Sequence, residues 1–331
     1  MRIVKKEIVR EGGKISLCTL GSINWGSFRN PEDMKRACRV LVRGLDNILN
    51  YQDYLSIQSK KSTEELAPLG IGITNLAYFL AKRGLKYGEP EALAEVKTFM
   101  EHQAYYLTEA SVELAKERGA CLDSAKTRYG QGIFPWENRA KGVNDLTDFT
   151  PELDWEDLRS DLLKYGIRNA TLMAIAPVES SSVVLNSTNG IEMPMSLITV
   201  KESKSGSLIQ VVPEYERLKS KYQLLWEQKD CLQYLKTSAV LAAYCCQSIS
   251  TNTFVNPKYF PGNKVPVTHV ATALMLGTYW GLRTFYYSLV SKTGFKSDAS
   301  PDEVNDLIVN ALEHQTVSVL DDEESCDSCV L

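Results

Sequence analysis

The sequence predicts an α/β fold, and three observations support that class. Apolar residues recur at helical spacing through much of the first half of the chain. A continuous apolar run at residues 170–176 is typical of a strand that is buried on both faces. A second short run at residues 283–290, rich in aromatic residues, also predicts a strand. The chain is therefore expected to combine a largely helical first half with strands that follow it.

Two helices of the first half have clear limits. Asn30 and Pro31 indicate a helix start, because an asparagine side chain caps free N–H groups and proline suits the first helical position. The apolar stripe that follows consists of Met34, Cys38, Leu41, Leu45 and Ile48. Cys38 is thus predicted to be a core residue. A second helix is predicted from Pro90 to Arg118, with Gly119 as its stop.

Other segments are predicted to be scaffold. Residues 69–76 suggest an apolar turn whose glycines allow close backbone packing, and we assign no site there. Residues 197–200 and 208–212 predict a hairpin, and helical periodicity returns at 216–227, 232–247 and 268–280. The remaining side chains of possible chemical interest lie on predicted helices. His102 is expected to be a surface or capping residue, whereas packing is the expected role of His269, Cys245 and Cys246.

The polar segment after the buried run is a candidate binding loop. It consists of Pro177, Val178, Glu179, Ser180 and Ser181. Sites of α/β proteins commonly lie where a buried strand opens into a loop. Its carboxylate and hydroxyl groups can accept and donate hydrogen bonds to a small polar ligand. A solvated loop that caps a helix explains the same residues, and both interpretations remain open at this point.

The strand at residues 283–290 carries two adjacent phenols, Tyr286 and Tyr287. Side chains alternate across a strand, so the simpler interpretation places one ring in the core and the other on the opposite face. The chemical interpretation is that two neighbouring phenols pass an electron and a proton stepwise. The spacing alone does not distinguish the two.

The C-terminal segment, residues 316–331, is acidic and ends in a Cys-x-x-Cys pair, Cys326 and Cys329. Its composition predicts a flexible tether that carries a dithiol. Two thiols at this spacing can enter and leave a disulfide. Half of a structural zinc site and an inert terminus are the alternatives, but no second cysteine pair or His-x-His partner occurs at zinc-ligand spacing, so we predict no metal site.

Composition limits the classes of partner and location. The net charge is −4 and no basic stripe is interleaved with aromatic residues, so a nucleic-acid partner or a phospholipid surface is not predicted. The first residues lack the apolar stretch of a signal peptide, and no apolar run is long enough for a membrane span. The eight cysteines do not form a secreted disulfide framework. We therefore expect a cytoplasmic protein of ordinary globular composition.

Several of these segments occur together, in this order, in one family. They are residues 14–24, 70–73, 168–173, 186–192 and 247–253, the tyrosine strand and the cysteine tail. In these segments the chain resembles the large subunit of class I aerobic ribonucleotide reductase, and the resemblance covers nearly the whole sequence. It implies the C-terminal part of that family's ten-stranded α/β barrel at residues 1–315, followed by the redox tail at 316–331.

The resemblance also implies an incomplete barrel. In the family, an Asn-x-Cys-x-Glu segment with the thiyl-radical cysteine lies just upstream of the segment that matches residues 17–20, and the sequence contains no such segment. We interpret the chain as the downstream product of a split large-subunit gene or as a truncation, with a phage gene and a host-cytoplasmic location as one possibility. Half a barrel leaves open strand edges, so a complementary N-terminal fragment is an expected partner.

Roles for the cysteines follow from the resemblance. Cys18 matches one of the two cysteines that reduce the ribose and become a disulfide, and its partner would lie in the complementary fragment. Cys326 and Cys329 match the tail dithiol that reopens this disulfide by exchange, after which thioredoxin or glutaredoxin re-reduces the tail.

The resemblance also assigns the tyrosines and the loop. Tyr287 would receive oxidising equivalents from a small subunit that holds the metal cofactor, and Tyr286 would pass them to the radical cysteine. The loop from Pro177 to Ser181 would hold the diphosphate of a ribonucleoside diphosphate substrate. Val178 departs from the hydroxyl residue of some family members, and Glu179 does not itself favour phosphate. No cofactor is expected in this chain.

Two other functions remain open from the sequence. The chain could be a catalytically silent structural or interaction subunit of the reductase complex. It could also be a stand-alone dithiol carrier, in which case Cys326 and Cys329 would cycle without nucleotide or partner.

Overall fold

A computed structural model describes residues 13–17, 19–203 and 206–291, with all their side chains except those of residues 200–203 and 206–208. The strands are β1 (Leu20–Asn24), β2 (Gly70–Thr74), β3 (Ile198–Ser203), β4 (Gly206–Val211), β5 (Thr251–Val255) and β6 (Phe285–Val290). The helices are α1 (Lys35–Tyr51), α2 (Ile57–Leu66), α3 (Leu76–Arg83), α4 (Pro90–Arg118), α5 (Trp155–Tyr165), α6 (Glu179–Val184), α7 (Tyr215–Leu218), α8 (Leu232–Ala242) and α9 (Val267–Tyr279).

Five extended segments lie side by side in parallel, in chain order. β1 pairs with β2, and β5 pairs with β6. Residues 172–175 join these two pairs through single parallel bridges, Ile71 with Met173 and Ile175 with Ile249. Each crossover between neighbouring segments contains helices, as parallel strands require. The described residues thus form an incomplete α/β barrel, which confirms the predicted fold class.

The helices pack around a core centred on α4. This helix contacts α1, α5 and α8, and its predicted apolar face is buried. Trp25, Phe79 and Phe99 form an aromatic cluster with ring centroids 4.6 to 5.6 Å apart. Trp25 Nε1 donates to Oε1 of Gln103 at 2.7 Å, and Gln103 Nε2 donates to the carbonyl oxygen of Gly72 at 3.1 Å. This buried polar chain ties Trp25 and α4 to β2.

Several predictions of elements are confirmed. The helix from Pro90 to Arg118 has the predicted limits, and the backbone N–H of Asn30 donates to Asp33 at the predicted start near α1. Cys38 is fully buried, as expected of a core residue. The hairpin of β3 and β4 is also present. The strand predicted at residues 170–176 is reduced to two single bridges, at Met173 and Ile175.

Three predictions are wrong. Residues 70–74 form the fully buried strand β2 and not a turn, although their glycines do serve close packing: a Cβ on Gly72 would lie 2.9 Å from the carbonyl oxygen of Ala174. The helix predicted at 216–227 is limited to α7 and one 3-10 turn. His102 is buried, because it packs edge-on against Tyr106 with Nδ1 2.9 Å from the carbonyl oxygen of Thr98.

No helix in the described part of the chain combines the length and apolar character needed to cross a membrane. The same residues contain no group of three or more His, Cys, Asp or Glu side chains placed to hold a metal ion.

Candidate functional site

The predicted binding loop lies at the carboxyl end of residues 172–175. α6 begins at Glu179, so the loop leads directly into a helix start. Ser180 and Ser181 are exposed, and the five loop residues line a shallow depression of about 280 Å³. First-turn N–H groups of a helix have no partner within the helix. The depression therefore presents backbone donors and two hydroxyls, a set that suits an anion.

Asn189 fixes the start of this loop. Its side-chain Oδ1 accepts hydrogen bonds from the backbone N–H of Val178, at 3.1 Å, and of Gly190, at 2.8 Å. Gly190 lies close to the loop, since a Cβ there would approach a methyl group of Val178 to 3.5 Å. The loop is thus held by the segment that follows α6.

Asn75 connects that segment to the strands. It follows β2 in the left-handed region, with φ of 72°. Its Nδ2 donates to Oδ1 of Asn24 at 3.0 Å, and its Oδ1 accepts from both the backbone N–H and the hydroxyl of Thr188 at 2.9 Å. Its own N–H donates to the carbonyl oxygen of Asn189 at 2.8 Å. Asn75 therefore joins β1, β2 and the segment that carries Asn189.

The tyrosine pair lies on β6 at an irregularity of the ladder. Thr251 pairs with Phe285 and Thr253 with Ser288, so the single residue Asn252 faces both tyrosines. This is the two-against-one geometry of a β-bulge, which redirects side chains. Asn252 Oδ1 also accepts the backbone N–H of Tyr287 at 3.3 Å.

The two phenol rings lie together on one exposed surface. Their centroids are 4.2 Å apart, and the hydroxyl of Tyr287 donates to that of Tyr286 at 3.4 Å. Tyr286 is 54% and Tyr287 56% exposed in the described chain, so the simpler prediction of one ring in the core is wrong. The bulge explains the difference, because it interrupts the alternation of side chains. The hydrogen bond to Tyr286 raises the pKa of Tyr287 above its ordinary value.

A cavity of about 450 Å³ is lined by one residue of the loop and by one of the two tyrosines. Glu179 and Tyr287 both line it, together with Asn252. The hairpin contributes Thr199, Gln210 and Val211, and methionines complete a mostly apolar wall. Glu179 of the loop and Tyr287 thus face one space at the carboxyl ends of the strands, where α/β sites typically lie.

Glu192 also lines this cavity, and sequence reasoning gave it no role. Its Oε2 is buried and has no hydrogen-bond partner among the described residues. Burial raises the pKa of this carboxyl above its ordinary value. The only sequence signal was its position in the segment 186–192 that resembles the family.

Replacing Glu192 with glutamine is expected to stabilise the fold increasingly as pH rises. Because the folded-state pKa lies above the unfolded value near 4.5, the native state binds the proton more tightly, and its contribution to stability is lost as pH rises through the folded pKa. Glutamine does not ionise. The difference in Tm between variant and wild type should therefore grow from pH 4 to pH 8. Glu91→Gln, at an exposed position of α4, is the control, and a difference independent of pH would contradict the assignment.

The three cysteines predicted to carry redox chemistry, Cys18, Cys326 and Cys329, lie outside the described residues, as does the predicted boundary at residue 315. The five described cysteines are free thiols. Burial raises the pKa of Cys38 to about 12 and that of Cys121 and Cys231 to about 11. Such thiols are poor nucleophiles, since the thiolate is the reactive form.

The five parallel segments and the helices between them place this protein in the class of α/β barrel domains. A polar loop lies at a strand end, and a phenol pair is exposed on β6. The chain matches the family model of the ribonucleotide reductase barrel domain over residues 6–230. It belongs to that family.

Relatives named ribonucleoside-diphosphate reductase subunit alpha support this assignment. The protein of Buchnera aphidicola from Baizongia pistaciae is 43% identical over 282 residues, which cover 85% of this chain and 37% of the relative. The alpha subunit of reductase 1 of Escherichia coli is 39% identical, with 78% and 33% covered, and that of Enterobacteria phage T4 is 37% identical, with 83% and 36% covered. The chain thus spans about a third of the length of these relatives.

Proposed function

We propose that the chain forms part of a composite active site that reduces ribonucleoside diphosphates to deoxyribonucleotides by a radical mechanism. The observation that carries the proposal is the hydrogen-bonded pair of Tyr286 and Tyr287, of which Tyr287 lines the same cavity as Glu179 of the loop. The family membership supports it, because the relatives are named as ribonucleoside-diphosphate reductase subunits.

In this proposal the tyrosines carry the radical. A small subunit that holds the metal cofactor oxidises Tyr287, which loses an electron and a proton. Tyr287 then takes a hydrogen atom from Tyr286 across the 3.4 Å between their oxygens. Tyr286 in turn takes one from the radical cysteine of a complementary N-terminal fragment. The raised pKa of Tyr287 keeps its proton in place until oxidation.

The loop holds the substrate diphosphate through backbone N–H groups at the start of α6 and the hydroxyls of Ser180 and Ser181. Glu179 and Val178 supply no attraction for phosphate, so the backbone carries most of the binding. Asn189 keeps the N–H of Val178 occupied and thereby fixes the loop's conformation.

The reducing equivalents come from cysteines. Cys18 and a cysteine of the complementary fragment give up two electrons and two protons, the ribose 2′-hydroxyl leaves as water, and the two thiols become a disulfide. Cys326 and Cys329 then reduce this disulfide by exchange and are themselves re-reduced by thioredoxin or glutaredoxin.

Reconstitution tests the proposal. Ribonucleoside diphosphate reduction should require this chain, the complementary fragment and the small subunit together. Activity of this chain alone would contradict the composite site. No activity in a mixture shown by size-exclusion to be assembled would instead favour a silent structural subunit.

Substitution of Cys326 and Cys329 by serine separates the recycling step from the chemistry. Turnover driven by thioredoxin should fall at least about tenfold, because the intermediate carrier is missing, whereas turnover driven by dithiothreitol should persist. Cys121→Ser, at a buried described position, is the matched control. Undiminished thioredoxin-driven turnover in the double variant would refute the role of the tail.

A further inference from the structure

A second cavity, of about 460 Å³, lies at the opposite ends of the strands. Its lining includes a residue just before each of the five parallel segments: Ser16, Pro68, Thr171, Gln247 and Arg283. The cavity therefore lies at the amino ends of the strands, whereas Tyr287 and Glu179 line the cavity at the carboxyl ends. None of the roles proposed above uses this space.

The charged residues that line this cavity are all basic. Arg128, Arg139 and Arg283 line it, and its lining contains no aspartate or glutamate. No ion pair joins any of these three arginines to a carboxylate within the part of the chain that the structure describes, although Arg43 and Arg159 do pair with glutamates. Several unneutralised guanidinium groups around one hollow create a positive potential that attracts a carboxylate-rich or phosphate-rich ligand.

The position of Arg139 is fixed by its surroundings. Its Nε donates to Oδ1 of Asn144 at 2.7 Å and one terminal nitrogen donates to the carbonyl oxygen of Trp136 at 2.8 Å. The guanidinium also lies 4.6 Å from the centre of the Phe149 ring. These contacts leave donors of the guanidinium for a ligand and hold its charge at the cavity. Arg128 and Arg283 are exposed at the rim.

The chain itself supplies a ligand of matching charge. Residues 321–327 contain five carboxylates, and no lysine or arginine occurs from residue 298 to the C-terminus. Cys326 is 35 positions beyond Ser291, where the described residues end, and an extended chain of that length spans about 115 Å. Length therefore does not prevent the acidic segment from reaching either cavity.

Charge distinguishes the two cavities. The lining of the cavity at the carboxyl ends contains Glu179 and Glu192 and no basic residue, so it offers no cationic side chain to an acidic segment. The arginine-lined cavity attracts one. Ser16, which is two positions before Cys18 in the sequence, also lines the arginine-lined cavity.

We infer that the arginine-lined cavity is the docking site of the acidic C-terminal segment, residues 321–327, of this chain. The inference rests on the proposed function in one respect, namely that the tail dithiol of Cys326 and Cys329 must reach a disulfide that involves Cys18. Arg128, Arg139 and Arg283 bind the carboxylates and thereby raise the local concentration of the tail dithiol.

Disulfide trapping in the full-length chain tests this docking. Asn138 is an exposed lining residue of the cavity, and Val40 is exposed on α1. In a background with Cys326→Ser, Asn138→Cys is expected to form a disulfide with Cys329 about tenfold faster than Val40→Cys does, as measured by peptide-mapping mass spectrometry. Equal rates at the two positions would overturn the proposal.

Charge variants show whether the arginines cause the faster disulfide formation at position 138. Arg128→Gln with Arg283→Gln should remove most of the rate advantage, and so should 0.5 M salt. Arg36→Gln, an exposed arginine of α1, should leave it unchanged. Neutralising the segment with Asp321→Asn, Asp322→Asn, Glu323→Gln and Glu324→Gln should have the same effect as the cavity variant. Trapping that is insensitive to this neutralisation would mean that the cavity serves another anion.

This trapping requires no nucleotide, small subunit or turnover. If the reductase function fails in reconstitution, trapping still reports on docking. If trapping fails while thioredoxin-driven turnover depends on Cys326 and Cys329, only the docking site is wrong.

Discussion

Replacing Tyr286 or Tyr287 with phenylalanine is expected to lower ribonucleotide reduction by about three orders of magnitude or more. Phenylalanine keeps the ring and loses the O–H hydrogen that moves in each step of the proposed relay. The two hydroxyls are in direct contact, so loss of either one interrupts the path. The measurement is the rate of deoxyribonucleotide formation in the reconstituted complex.

The same substitutions should leave the fold intact. Both tyrosines are more than half exposed, and the bulge that positions them uses the backbone N–H of Tyr287, which phenylalanine retains. The free energy of unfolding should change by no more than about 0.5 kcal/mol. Tyr279→Phe is a suitable control, because Tyr279 is also exposed and donates one hydrogen bond, to Asp145, at a distant position. Full activity of either relay variant would refute the radical path.

Local sequence patterns predicted the helices and strands whose formation depends mainly on residues close to one another in the sequence. The limits of α4 follow from Pro90, Gly119 and a continuous apolar face, and all of these are visible in the sequence. The hairpin and the buried position of Cys38 follow from the same kind of pattern. The family resemblance predicted part of an α/β barrel, but the order in which the parallel segments pair was not predicted, since pairing of distant strands leaves little local signal.

The missed features depend on contacts between distant residues. The glycines of β2 suggested a turn, yet they allow residues 172–175 to approach closely. The bulge opposite Asn252 involves a residue about 35 positions from the tyrosines, so the alternation rule failed there. The arginine-lined cavity brings together Arg128, Arg139 and Arg283, which are scattered in sequence and carry no motif. The binding loop was predicted, but its attachment through Asn75 and Asn189 was not.

Replacing Asn75 with alanine is expected to destabilise the protein by about 3–5 kcal/mol, the largest stability effect that we predict. The substitution removes the acceptor of two Thr188 groups and the donor to Asn24, all at a buried position. It also leaves at a φ of 72° an alanine, whose side chain cannot stabilise this left-handed conformation by a hydrogen bond as asparagine does, and this costs about 1 kcal/mol. Denaturant unfolding of the assembled protein measures the change.

Two companion variants separate these causes. Asn75→Gly loses the same hydrogen bonds but tolerates the left-handed backbone, so it should be about 1 kcal/mol more stable than Asn75→Ala. Asn75→Asp keeps an acceptor for Thr188 but sets a buried carboxylate oxygen against Oδ1 of Asn24, so it should be no more stable than Asn75→Gly. Equal stability of the alanine and glycine variants would show that the left-handed backbone at residue 75 does not limit the choice of residue. A decrease in the free energy of unfolding below about 1 kcal/mol in Asn75→Ala would show that the hydrogen-bond network is dispensable.

The Asn75 network also links stability to substrate binding. Release of Thr188 frees the adjacent Asn189, whose side chain holds Val178 at the start of the loop. At temperatures where Asn75→Gly remains folded, it should therefore raise KM for the ribonucleotide more than it lowers kcat, because the tyrosine pair on β6 has no contact with Asn75 in the described hydrogen-bond network. A fall in kcat at unchanged KM would mean instead that the network acts on the chemistry and not on the loop.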